Sequence, residues 1–121
     1  MTARARARAE LTDEIKREAR RQLAEHGADL SLRAVARELG MASSAVYRYF
    51  PSRDDLLTAL IVDAYDALGE TAEQALARAE GGVTERWLAL STSIRAWAVE
   101  HPHDYALLYG SPVPGYRAPR D

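Results

Sequence analysis

From Leu11 onward, apolar residues recur three and four positions apart, and no stretch alternates over a run of β-branched residues. The pattern predicts an all-α chain. Leu11, Ile15, Ala19 and Leu23 fall on one stripe of a first packed helix, expected from about Asp13 to His26 and stopped by Gly27. Its opposite face carries Lys16, Arg17, Arg20 and Arg21 and reads as basic. Ser31 is placed to cap a second, short helix in which Leu32, Val35, Ala36 and Leu39 share a face, and Gly40 ends it. A third short helix starts near Ser43, with Val46 and Phe50 on one side, and Pro51 stops it.

Ser52 followed by Asp55 has the spacing of a capping box for a long fourth helix reaching roughly Arg78. Its core stripe is Leu56, Leu57, Leu60, Ile61, Ala64, Leu68, Ala72 and Leu76. Gly81 and Gly82 make a turn, a fifth helix over 85–100 carries Trp87, Leu88, Leu90, Ile94, Trp97 and Ala98, and Pro102 restarts a sixth that ends near Tyr109 and Gly110. Residues 1–10, alternating Arg and Ala without an apolar face, are expected to be a disordered basic arm or a frayed helical extension. The closing SPVPGYRAPRD is too rich in proline for regular structure.

The stretch from Leu32 to Phe50 carries the functional information. Two short helices joined through Gly40, Met41 and Ala42 need a small residue at their approach, a turn residue tolerant of positive φ and an apolar anchor on the second helix. Ala36, Gly40 and Val46 supply these at helix-turn-helix spacing. In that motif the second helix enters the DNA major groove with its N-terminal residues at the base edges. Ser43, Ser44 and Ala45 occupy that end and are small enough for close backbone approach. Val46 and Phe50 claim the core face, so part of the Tyr47, Arg48 and Tyr49 trio must point outward, where hydroxyls and guanidinium can donate to phosphate oxygens. Arg53 and the amides opening the fourth helix add a further anion site.

The charge distribution strengthens this reading. Residues 1–53 hold eleven Lys/Arg against seven Asp/Glu, and the remainder five against eleven, although the whole chain nets only −2. A basic half joined to an acidic half suits a chain that meets a polyanion at one end. Cysteine is absent, which excludes disulfides, thiolate metal sites and a cysteine nucleophile. No apolar run approaches a membrane span, and the arginine-rich start lacks the apolar core of a signal peptide, so a soluble intracellular protein is expected.

SLRAVARELGMASSAVYRYFPSRDDLL resembles the DNA-binding region of the TetR family of transcriptional regulators, in which a Tyr-x-x-Phe pattern ends the recognition helix and Pro-Ser-Arg/Lys and Leu-Leu open the linking helix. The resemblance implies a bacterial, cytoplasmic, nucleoid-associated regulator. It carries over Arg33, Ser43, Ser44, Ala45, Tyr47, Arg48, Tyr49 and Arg53 as contacts to a double-stranded DNA operator. Position 49 is commonly His in the family, so Tyr49 is a departure. HPHDYALLYG followed by SPVPGY is similar to one TetR subgroup, in which later helices enclose a small-molecule effector and the last two form a homodimer interface. The implied organisation is a basic arm over 1–10, a three-helix DNA-binding domain over 11–55 and an incomplete ligand-binding and dimerisation domain over 56–121. Ending on a proline-rich connection, the chain reads as a piece of a longer regulator.

Other chemistry finds little support. Tyr65, Trp87, Trp97, Tyr105 and Tyr109 are candidates to line an effector pocket, although aromatics at helical spacing are more often core. His101, His103 and Asp104 read as a helix end and a helix start rather than as metal ligands. Asp54 and Asp55 suit the positive end of a helix, so they need no catalytic role. No G-x-S-x-G, P-loop or G-x-G-x-x-G occurs, and no enzyme activity or cofactor is expected. The main rival reading is a truncated protein-interaction module that pairs with full-length regulators without productive DNA binding by itself.

Overall fold

A computed structural model describes residues 2–26, 30–110 and 115–119. Among these, all regular structure is helical, in the order α1 (Ala3–His26), α2 (Leu32–Glu38), α3 (Ser43–Tyr47), α4 (Arg53–Arg78), α5 (Val83–Glu100) and α6 (Pro102–Tyr109). The chain forms two compact units, residues 1–60 with 113–121, and residues 61–112.

In the first unit α1 packs on α2, and α2 on α3. Its core is Ile15, Ala19, Leu30, Leu32, Val35, Ala36, Val46, Phe50, Leu56, Leu57 and Leu60, all buried. Burying each of the larger aliphatic side chains contributes about 1.5–3 kcal/mol, so this short list dominates the unit's stability. Residues 3–10 belong to α1 and are not the disordered arm that their lack of an apolar face suggests. Alanine and arginine are both strong helix formers. The Thr2 side chain accepts from the Ala5 N–H at 3.1 Å, which caps the start. Gly27, the expected stop of α1, lies outside the described residues.

The beginning of α4 is fixed by local chemistry. The Ser52 hydroxyl accepts from the Asp55 N–H at 3.1 Å and donates to the Asp55 carboxylate at 2.9 Å. Chain from beyond α6 returns to the same turn, where the Tyr116 and Thr58 hydroxyls share a hydrogen bond of 2.8 Å and the Arg117 N–H donates to Asp54 Oδ2 at 3.4 Å.

In the second unit α5 packs on α6. The Glu85 carboxylate accepts from the Gly82 N–H at 2.9 Å, which starts α5 two residues before the expected position. Pro102 sits at the first turn of α6, where a missing N–H costs nothing. Trp97 is buried, but Trp87 and Leu88, on the predicted apolar face of α5, are exposed at 65% and 59%.

Candidate nucleic-acid interface

The joint between α2 and α3 follows from a few side chains. Ser31 Oγ accepts from the Ala34 N–H at 3.0 Å and fixes where α2 begins. At its other end, Gly40 adopts φ +67°. That conformation lets the Gly40 N–H reach the Arg37 carbonyl at 3.2 Å and the Met41 N–H reach the Ala36 carbonyl at 2.8 Å. The two bonds together make a Schellman stop, which satisfies the carbonyls left open at the helix end and reverses the chain. Ala36 and Val46 are buried, as a close α2–α3 crossing demands.

With Val46 and Phe50 turned into the core, α3 presents a defined outer surface. Ser44, Tyr47 and Arg48 are exposed, and Ser43, Ala45 and Tyr49 are half-buried. Arg33, on α2, is exposed. Regular helix ends at Tyr47, with a turn over residues 48–49, because Pro51 drives the residue before it away from helical geometry. Arg53 is half-buried, and its Nε–H donates to the Leu30 carbonyl at 3.0 Å. That bond ties the start of α4 to the segment before α2, a structural role that sequence reasoning did not assign. Nothing local announces it, since the partners are 23 positions apart.

Two further contacts redraw the basic surface of α1. The Arg8 guanidinium lies over the Tyr49 ring, 4.5 Å from its centroid. Arg21, expected on an open basic face, is instead committed to acids. Its Nη2 donates to Glu18 Oε2 at 2.7 Å and its Nη1 to Glu25 Oε2 at 2.8 Å. Gln22 Nε2 adds a bond of 3.0 Å to Glu18. The Arg21 hydrogen bond holds the Glu18 carboxyl below the ordinary glutamate value, against burial, which pushes it up. The same contact raises Arg21 further above its usual value. Glu18 and Gln22 are buried polar side chains at i and i+4, a spacing visible in the sequence but masked by the arginines around it.

The family model described as "Bacterial regulatory proteins, tetR family" matches residues 15–60, which include α2, α3 and the start of α4, and "Tetracyclin repressor-like, C-terminal domain" matches residues 87–121. The chain belongs to the TetR family. It is 52% identical over 120 residues to the HTH-type transcriptional regulators Mb1846 of Mycobacterium bovis and Rv1816 of Mycobacterium tuberculosis, covering 95% of this chain and 50% of each relative. It thus spans about half the length of these curated relatives. A crystal structure described as that of a regulatory protein, SCO4313, superposes with a TM-score of 0.87 at 43% identity, over 98% of this chain and 56% of that one. A Rhodococcus sp. RHA1 protein described as having unknown function gives 0.74 at 33% identity, over 89% and 57%.

In this TetR chain, the five aromatic candidates for an effector pocket separate into groups. Tyr65 meets Tyr109 edge-on at 6.4 Å between centroids, and Tyr105 lies 5.2 Å from Tyr109. Trp97 is buried beside His101, 5.5 Å away, and Trp87 is exposed. An open groove of ≈ 480 Å³ is lined by Ala75, Arg78, Leu88, Thr92, Ser93 and Ala96 among others, none of them from that set. A second, of ≈ 360 Å³, includes Tyr105 with Ile94 and Arg95. Among the described residues no group of His, Asp or Glu is arranged to hold a metal, and no helix is long and apolar enough to cross a membrane.

Proposed function

We propose that this chain is the DNA-reading portion of a ligand-responsive transcriptional regulator, acting as a repressor on a pseudo-palindromic operator. The observation that carries the reading is the Schellman stop at Gly40, which delivers α3 with Val46 and Phe50 inward and Ser44, Tyr47 and Arg48 outward. Two such helices, contributed by a homodimer, would enter successive major grooves roughly 34–36 Å apart. Ser43, Ser44 and Ala45 face the bases, and Tyr47, Arg48 and Arg33 hold the phosphates. An effector bound among the later helices acts through α4, the one helix shared by both units, and only to the extent that it binds the two conformations unequally.

Footprinting of the chain on the DNA upstream of its own gene tests this directly. A protected near-palindrome is expected, and uniform weak coverage at every salt concentration would sink the operator reading. Ser43→Ala combined with Ser44→Ala should cost operator binding more than random-duplex binding. Equal losses would place base reading elsewhere. Arg48→Ala should weaken both alike and lower the salt slope by about 0.9.

A second reading, that the chain chiefly pairs with another regulator subunit, is favoured by Val83, Trp87, Leu88 and Val99, which expose large apolar surface on α5. Light scattering beside a mobility shift separates the two, since a pairing module assembles without retarding DNA.

A further inference from the structure

The start of α1 is built against its own electrostatics. The N-terminal end of a helix carries partial positive charge and favours acids, yet the first turn of α1 has none, and Arg4, Arg6 and Arg8 follow one another over its first two turns. Arg4 and Arg8 are also four apart, which places like charges on one face and disfavours the helix again. Among the described residues no carboxylate pairs with any of the three. All three are exposed. This positive end does not project at random, because the Arg8 guanidinium is seated on the Tyr49 ring at the close of the recognition-helix segment.

We propose that the first turns of α1 form a second contact to the DNA backbone, with Arg4 and Arg8 binding phosphates flanking the site read by α3 and Tyr49 acting as the positioning residue that docks Arg8. The inference rests on the DNA-binding reading above. With its central carbon over the ring, Arg8 can still offer N–H donors to a phosphate, since a guanidinium can stack through its plane and donate from its rim. Arg4 sits one turn, about 6 Å, further along the same face. Arg6 points away from that face and is not part of the contact. A polyanion relieves the clash of like charges, so the segment that is least favourable in the free protein is the one that gains most on binding. Tyr49, which the resemblance offers as a phosphate donor, serves here through its ring and not its hydroxyl.

The test is the salt dependence of binding by the full chain to a random-sequence duplex and to its operator. Arg4→Ala with Arg8→Ala should lower the slope of log K against log salt by about 1.8 on both duplexes. Alanine is the better helix former, so loss of helix cannot produce that result. Tyr49→Leu should weaken binding about two- to fivefold, the size of an exposed cation–π contact, and Tyr49→Phe should recover it because the ring face survives. A double-mutant cycle should show Tyr49→Leu to be silent once Arg8 is Ala. DNA should also protect the Arg4, Arg6 and Arg8 peptide bonds from trypsin. An unchanged slope in the double variant, or equal losses in Tyr49→Phe and Tyr49→Leu, overturns the inference while α3 binding stands. Failure of the unaltered chain to bind any duplex overturns both.

Discussion

The two units invest their apolar residues differently. In the first, most large aliphatic side chains from Ile15 to Leu60 are buried, and the exposed residues of α3 and the turn after it are serine, tyrosine and arginine. In the second, Ala64, Ala75 and Trp97 are the buried apolar residues among those described, while Val83, Trp87, Leu88, Val99, Tyr105 and Tyr109 stay exposed. The first unit therefore has a closed core of its own and can spend its surface on recognition. The second presents apolar surface of the kind that marks an interaction site. Closure in one and openness in the other fit the proposed division between a unit that reads DNA and one that meets partners.

The largest expected effect sharpens this contrast. Leu57→Ala, at a fully buried position, should cost about 2–5 kcal/mol in urea denaturation followed by circular dichroism. A loss below that range would mean that the first unit is less closed than its burial indicates. At Gly40 a Cβ would meet no neighbouring atom, so Gly40→Ala carries backbone strain alone, about 1–2 kcal/mol from φ +67°. Ser31→Ala should cost about 1 kcal/mol through its cap. Both losses should appear in amide exchange of α2, with little change in α5.

Acid should act first on the first unit. Glu18 has a lower proton affinity folded than unfolded. Its stabilising contribution is therefore complete above the ordinary glutamate value and drains away as pH falls through about 4.3 toward the lower folded value. Glu18→Gln should flatten the unit's stability between those limits, and an unaltered acid limb would remove Glu18 from the account. The smallest effect is expected at Trp87→Ala, within about 0.5 kcal/mol, because the ring is exposed. A cost matching that of Leu57→Ala would break the comparison and require a covered face on α5.

What the sequence made legible was local. Ser31, Gly40, Ser52 with Asp55 and Pro102 act on backbone groups within a few positions, and each delimits a helix where the residue chemistry says it should. The inward face of α3 was legible too, because Val46 and Phe50 leave the trio between them little choice. Distance along the chain hid the rest. Arg8 on Tyr49 and Arg53 on the Leu30 carbonyl join residues that no periodicity relates. Arginine pattern misled twice, once in suggesting disorder over 3–10 and once in offering Arg21 as an open cation when Glu18 and Glu25 hold it. Trp87 and Leu88 misled in the opposite sense, since helical spacing reports a shared face and not whether anything covers it.

The bonds from Tyr116 to Thr58 and from Arg117 to Asp54 bear on how the protein is made. Among the described residues, every core residue of the first unit precedes residue 61, so that packing can form while the ribosome is still producing α5. At about 5–20 residues per second, Tyr116 follows Thr58 by several seconds. The turn that opens α4 thus spends that interval without its last two partners. A nascent chain held at that stage would already have its recognition helix folded, with the hydroxyl of Thr58 still awaiting its mate.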